Sequence, residues 1–235
     1  MVLPAKIFEI QEEINFGLIV QKLKNFHEEE NYETNEGKII TLVSEILDLE
    51  LNENLISGIF SSEFIRTRYY RRELIEQPVT EEAQFWVTRF QNRIFLIVVA
   101  PSVARGVKKL LSTHIANRLS KIIFINSKII LETNIPHETL KNLHESNPQA
   151  TRLIWFDQVD IPGVEKLCLA GSALVDTQLY QDYLEHGKIW YVVFEAQKRG
   201  LTMGITRNSV ITLFSKSTKN DLIEYIRKEL LQLID

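Results

Sequence analysis

Residues 84–119 read QFWVTRFQNRIFLIVVAPSVARGVKKLLSTHIANRL. Ala83 to Phe90 and Arg93 to Ala100 are two largely apolar runs, with the polar pair Gln91-Asn92 between them. Two such runs around a two-residue polar link predict a β-hairpin. Ile94 to Ala100 is the longest uninterrupted apolar run in the chain. It suits a buried strand and falls far short of the roughly 20 residues of a membrane-spanning helix. Pro101-Ser102 then opens a helix, with Ser102 as its cap. Val103, Val107, Leu110, Leu111 and Ile115 share one face of that helix, and Arg105, Lys108 and Lys109 lie away from it.

The same succession returns at residues 202–233, TMGITRNSVITLFSKSTKNDLIEYIRKELLQL. Leu201 to Arg207 and Ser209 to Phe214 predict a hairpin around Arg207-Asn208. Thr218 caps the helix that follows, and Asp221 three residues on completes a capping-box-like pair. Leu222, Ile223, Ile226 and Leu230 form its apolar stripe.

Upstream, Ala5 to Ile10 reads as a first strand. Asn15 caps a helix with Ile19, Leu23 and Phe26 inward. Glu28 to Glu36 is a solvated acidic connection, and Lys38 to Leu51 a long strand, with a helix as the alternative. Leu55 to Leu74 is one very long extended segment, bent near Gly58 or Glu63 and ended by Pro78. In the second half Lys121 to Ile130 is a strand, and Pro136 opens a short helix with Leu140 and Leu143 inside. Thr151 to Ile161, Glu165 to Val175 and Lys188 to Lys198 are strands. Thr177 to Gly187 is a variable insertion of one or two helical turns.

These elements predict an α+β protein of two similar strand-helix-four-strand-helix halves, residues 1–120 and 121–235. The halves would form an extended curved antiparallel sheet with helices on one face, the second half having room for one further strand. The pattern resembles, at the level of topology alone, the duplicated fold of TATA-box-binding protein. Phe85 to Leu119 carries the nearest local likeness: hairpin, cap, and a helix with its basic residues outside. The resemblance implies one curved sheet whose concave face grips a DNA minor groove. The halves here are longer than that family's repeats, and its paired phenylalanines and asparagines have no matching positions. No binding residue is carried over.

The chain has 235 residues, enough for one large domain or two modest ones at roughly 100–200 residues each. Its 27 Lys+Arg and 31 Asp+Glu give a net charge of -4, which argues against a strongly basic nucleic-acid coat or a polybasic membrane binder. The charge is uneven, with acid gathered in Glu28–Glu36 and arginine in Arg66–Arg72. A single cysteine, Cys168, excludes an internal disulfide framework, and its neighbours Leu167 and Leu169 predict a buried thiol. Lys6, Glu9, Glu12 and Glu13 break any signal-peptide pattern, so the expectation is a soluble cytoplasmic protein with no membrane contact.

The most unusual stretch is Phe64-Ile65-Arg66-Thr67-Arg68-Tyr69-Tyr70-Arg71-Arg72. On a strand, Phe64, Arg66, Arg68, Tyr70 and Arg72 project from one side. Arginines pair with phosphates through two hydrogen bonds and aromatic rings stack on bases, which suits nucleic acid. The bland alternative is a solvated sheet edge whose arginines pair with Glu73, Glu76, Glu81 or Glu82 and discourage edge-to-edge aggregation. Arg105, Lys108 and Lys109, followed by Arg118 and Lys121, form a second basic group, most simply a solvated helix face. Lys198, Arg199 and Arg207 form a third. Asp157, Asp160 and Glu165, with Glu195 and Lys198, are a weak metal-nuclease pattern, because Asp157 and Asp160 would point to opposite faces of a straight strand. The five histidines lack zinc spacing, and no nucleophile elbow is present. Trp86, Trp155 and Trp190 read as core residues. No pattern calls for a cofactor or a metal. The expectation is a non-enzymatic nucleic-acid-binding or regulatory module contacting its ligand through Arg66, Arg68, Tyr70, Arg72, Arg105, Lys108 and Lys109. The alternatives are a protein–protein adaptor subunit of a larger complex and a metal-dependent nuclease; the oligomeric state is left open.

Overall fold

The computed structural model describes residues 3–99, 108–126, 128–196, 200–214 and 217–235. Among these are twelve strands and five α-helices, with antiparallel strand pairing, so the chain is α+β. Its contacts divide it into an N-terminal unit, Glu9–Leu131, and a C-terminal unit, Met1–Phe8 with Glu132–Asp235.

The N-terminal unit contains helix α1 (Phe16–Lys24), strands β2 (His27–Glu33), β3 (Ile39–Asn52), β4 (Leu55–Tyr70), β5 (Glu73–Phe90) and β6 (Arg93–Val99), and helix α2 (Lys108–Phe124). Its strands pair in chain order, β2-β3-β4-β5-β6. Asn15 starts α1 by accepting the Gly17 N–H at 2.7 Å, and the helix turns Ile19 and Leu23 fully inward. Phe26, just beyond the helix, stacks on Phe60 of β4 with ring centroids 6.2 Å apart. The expected hairpin around Gln91-Asn92 is present, and every residue of Ile94–Val99 is buried, as an apolar strand covered on both faces should be.

Three expectations are corrected here. Glu28–Glu36 is no connection: residues 27–33 form the edge strand β2, nearly all of it exposed. An edge strand wet on both faces has no apolar alternation to announce it. Leu55–Leu74 is not one strand, because the chain reverses at Arg71-Arg72 and returns as β5. Pro78 accordingly sits inside β5, opposite Ile65, and ends nothing. Counting back from the Tyr70–Glu73 pair that closes the turn, Ile65–Pro78 is a non-hydrogen-bonded pair. The Pro78 nitrogen therefore faces away from β4, where β6 has not begun, since β6 pairs with β5 only over Gln84–Phe90. A missing N–H costs nothing there. Finally, Lys121–Ile130 is helical through Phe124. Ile115, Leu119 and Ile123 continue one buried stripe at four-residue spacing, and the helix ends where Ile125 takes a left-handed φ of 63°. Only Ile130–Glu132 is strand, β7. The Ser102 cap, Val103, Val107 and Arg105 lie outside the described residues.

The C-terminal unit adds strand β1 (Leu3–Ile10), of which residues 3–8 belong here, to α3 (His137–Glu145), β8 (Thr151–Asp157), β9 (Leu167–Ala170), α4 (Gln178–His186), β10 (Lys188–Ala196), β11 (Leu201–Thr206), β12 (Val210–Leu213) and α5 (Lys219–Tyr225). The strand order is β1-β12-β11-β10-β8-β9. β8 therefore pairs directly with β10, and β9 lies outside it. Thr151–Ile161 ends as strand at Asp157, Glu165–Val175 shrinks to four strand residues, and Thr177–Gly187 is the full helix α4 with Thr177 as cap. Cys168 is exposed, because alternation along β9 buries Leu169 and turns its neighbours out. Trp86 is buried, whereas Trp155 and Trp190 are only half-buried. In α3 Leu140 is fully buried as expected; His144 joins it, and Leu143 is half-buried.

Both ends of α5 follow from local chemistry. Thr218 accepts the Asp221 N–H at 3.2 Å and donates its own N–H to the Asp221 carboxylate at 2.8 Å. Leu222, Ile223, Ile226 and Leu230 are all buried, the last two in a wider π-helical turn, Ile226–Leu230, that continues the helix. Gly204 on β11 lies beneath the ring of Tyr191 on β10: a Cβ added there would stand 2.5 Å from Tyr191 Cε2. Five strands, not four, separate α1 from α2, and five separate α3 from α5 with α4 inserted among them.

Candidate nucleic-acid interface

The β4–β5 pair runs without a break from Leu55–Thr88 to Tyr70–Glu73. Its neighbours do not follow it that far. Pairing of β3 with β4 stops at Ser44–Ser62, and pairing of β5 with β6 stops at Gln84–Val99. Beyond Ser62, eight cross-strand pairs from Glu63–Thr80 to Tyr70–Glu73 form a two-stranded ribbon with no third strand among the described residues. Seven steps of about 3.4 Å make it about 24 Å long.

Directly opposed residues share a face. One face of the ribbon carries Phe64 with Val79, Arg66 with Gln77, Arg68 with Ile75, and Tyr70 with Glu73. The other carries Glu63 with Thr80, Ile65 with Pro78, Thr67 with Glu76, and Tyr69 with Leu74. Arg66, Arg68 and Tyr70 are thus brought together and exposed, as the alternation predicts. Arg72 is not on that stripe. It shares the two-residue turn with Arg71, at φ 70° and 49°. Two left-handed residues are what a type I′ hairpin requires, and Asn-Gly is its usual occupant. Sequence reading missed Arg71 as a site residue and missed the turn. Length did not mark the reversal, since β4 and β5 themselves run to 16 and 18 residues.

The ribbon's charges are sorted by face. Glu63 points to the second face, where it accepts the Val43 N–H at 3.0 Å and so occupies the place β3 vacates. Glu76, on the same face, accepts the Tyr32 hydroxyl at 2.9 Å and the Asn35 N–H at 2.8 Å. That hydrogen bond pushes the Tyr32 phenol pKa above its ordinary value. Both carboxylates are therefore bound to the acidic β2–β3 hairpin. On the first face the only carboxylate is Glu73. The Arg68 guanidinium lies 5.7 Å from the Tyr70 ring centre and that of Arg71 5.3 Å from it, so one phenol ring holds two cations by cation–π attraction. Among the described residues, none of Arg66, Arg68, Arg71 and Arg72 forms a salt bridge, with Glu73, Glu76, Glu81, Glu82 or any other carboxylate.

The other basic groups are not gathered in this way. Arg105 is outside the described residues, and Lys108 and Lys109, described by backbone alone, open α2 as it is described. Arg118 is bonded to Glu28. In the third group Lys198 and Arg199 lie outside the described residues, and Arg207 is paired with Asp157 at 2.6 Å. Three of the four carboxylates of the nuclease pattern have partners of their own: Asp157 has Arg207, Asp160 meets His186 at 2.8 Å, and Glu195 meets Arg152 at 2.9 Å. Among the described residues, no group of three or more His, Cys, Asp and Glu side chains could hold a metal ion. No helix among them is long and apolar enough to cross a membrane.

No protein-family model matches this chain, and no curated protein matches it.

Proposed function

We propose that the chain is a non-enzymatic nucleic-acid-binding or regulatory module whose contact surface is the β4–β5 ribbon. One observation carries this reading: four exposed guanidiniums, two on one face and two at the tip, with no carboxylate paired to them among the described residues. Guanidinium is charged at every physiological pH and its planar fork matches a phosphate oxygen pair. The test is fluorescence anisotropy with labelled oligonucleotides at low salt. Binding is expected, with loss of binding in Arg66→Gln/Arg68→Gln/Arg71→Gln/Arg72→Gln. An intact protein that binds no oligonucleotide refutes the reading.

We further infer that the chain is built from two related stretches, as in the TATA-box-binding-protein-like duplicated fold. The support is the order of elements: each stretch runs strand, helix, five strands, helix, with α4 inserted among the strands of the second, and closes on a hairpin followed by a helix. The differing place of β9 is where the two stretches part. A cytoplasmic location goes with this reading, supported by a single cysteine with no second one to pair with.

A second reading, a protein–protein adaptor, is favoured by the ribbon's other face, where Tyr69 (74% exposed) lies opposite Leu74 (56% exposed). Exposed tyrosine and arginine are the residues that dominate protein interfaces. A stoichiometric protein partner that co-purifies through this face, without nucleic acid, would favour it.

A further inference from the structure

Resting on the nucleic-acid reading above, we infer that the ribbon's ligand is double-stranded DNA, entered through the major groove. Three observations select it. The first is shape. Two strands about 4.8 Å apart, with their side chains, make a body about 10 Å across, and the B-form major groove is about 12 Å wide and 8.5 Å deep. From the Thr67–Glu76 pair, where the β2–β3 hairpin is bonded, to the Tyr70–Glu73 pair the ribbon projects three steps, about 10 Å, enough for the tip to reach the groove floor.

The second is the sorting of charge. Arg66 and Arg68 stand two residues apart on one face, about 7 Å along the strand, so they can reach successive phosphates of one groove wall. Arg71 and Arg72 occupy the tip, where guanidiniums meet base edges. The carboxylates Glu63 and Glu76 are turned to the opposite face and bonded to the β2–β3 hairpin, so the acidic strand lies away from the cationic wall.

The third is the state of the aromatic rings. A single-strand site needs successive free rings on which bases stack. Tyr70 is engaged by Arg68 and Arg71, which leaves Tyr69, on the opposite face, as the turn's open ring. Tyr70 serves to hold cations, not to stack bases. Double-stranded RNA is disfavoured because its major groove is too deep and narrow for side chains.

The experiment uses the full chain with a labelled 20-base-pair DNA duplex, its isolated single strand, and an RNA duplex of the same sequence. Affinities are taken at about 50 and 200 mM salt. Four phosphate or base cations give a slope of log K against log salt of about -3.6, a loss of about 150-fold between the two salts for duplex DNA. Arg66→Gln/Arg68→Gln halves the slope, leaving a loss of about 12-fold. Both residues are exposed, and an unchanged thermal transition verifies the fold of the variant. Duplex DNA is expected to bind at least tenfold more tightly than the other two probes. Equal or tighter binding of the single strand or of the RNA duplex overturns the inference while leaving the nucleic-acid reading intact. So does displacement of a minor-groove dye from the DNA duplex. Failure of all three probes overturns both.

Discussion

Replacing Arg71-Arg72 with Asn-Gly separates strain from function at the ribbon tip. Both arginines adopt a left-handed backbone, at φ 49° and 70°, which costs an L residue about 1 kcal/mol each. Glycine removes that cost, and asparagine reduces it. Against this gain of somewhat under 2 kcal/mol stands the greater freedom of an unfolded glycine, about 0.5–1 kcal/mol. The net expectation is a ribbon more stable by about 1 kcal/mol. No third strand supports the ribbon, so the change should appear as slower local opening before it alters global unfolding. Amide exchange around Tyr70 and Glu73 should slow by about fivefold. The same variant loses two of four cations, so the salt slope for nucleic acid should fall from about -3.6 to about -1.8. Exchange that is unchanged or faster would refute the strain; an unaltered slope would refute contact by the tip. Arg71→Lys/Arg72→Lys keeps charge and backbone strain together, and should leave exchange as it is.

Gly204→Ala should destabilise the C-terminal unit by about 1–3 kcal/mol, since the new methyl meets the Tyr191 ring 2.5 Å away. In urea titrations Gly204→Ala/Tyr191→Leu should cost clearly less than the two single changes summed; simple additivity would place the clash elsewhere. His144 is buried against the edge of Tyr180, ring centres 4.9 Å apart, and neither ring nitrogen has a partner among the described residues. Burial holds its pKa below the usual 6.5, with Glu145 pulling weakly the other way. The folded state then binds fewer protons than the unfolded one, and stability should decline as pH falls below about 6.5. His144→Leu should make that decline shallower, leaving the share carried by His114 and His137, which burial also lowers. An unchanged slope of urea midpoint against pH from 7.5 to 5.5 would count against it. Arg93 grips Glu9 through two hydrogen bonds of 2.6 and 2.8 Å, and this holds the Glu9 carboxyl below its ordinary 4.5. Its contribution is complete above that value and lost as pH falls through the depressed one. Glu9→Gln should therefore cost about 1–3 kcal/mol at neutral pH and flatten the acid limb of Tm against pH.

Elements whose chemistry is local were legible in the sequence. Thr218 with Asp221, Asn15 before its apolar face, and Gln91-Asn92 between apolar runs each state their structure within a few residues. The failures share one cause, which is that the deciding contact lies far away in the chain. Glu28–Glu33 becomes strand because β3 pairs with it. Pro78 is tolerated because β6 pairs with β5 only from Gln84 onward. Cys168 is exposed because β8 pairs with β10 and leaves β9 outside. At the candidate site the alternation of Phe64, Arg66, Arg68 and Tyr70 was readable from the strand period. The Arg71-Arg72 turn was not, since neither residue is an ordinary turn former. Which carboxylates would leave the arginines free depended on Tyr32, Asn35 and Val43, at least 20 residues distant in sequence.

A solitary ribbon has two open flanks, and each is an invitation to polymerise. Pro78 answers on one flank: it removes an outward N–H from the ribbon part of β5, so an arriving strand meets an interrupted ladder. On the other flank the Glu63 carboxylate takes up the Val43 amide at the point where β3 leaves. The proline that looks like a terminator in the sequence thus has a colloidal consequence. It lets a long hairpin persist in a concentrated solution without adding strands to itself, and so keeps the arginine tip from being drawn into a larger sheet.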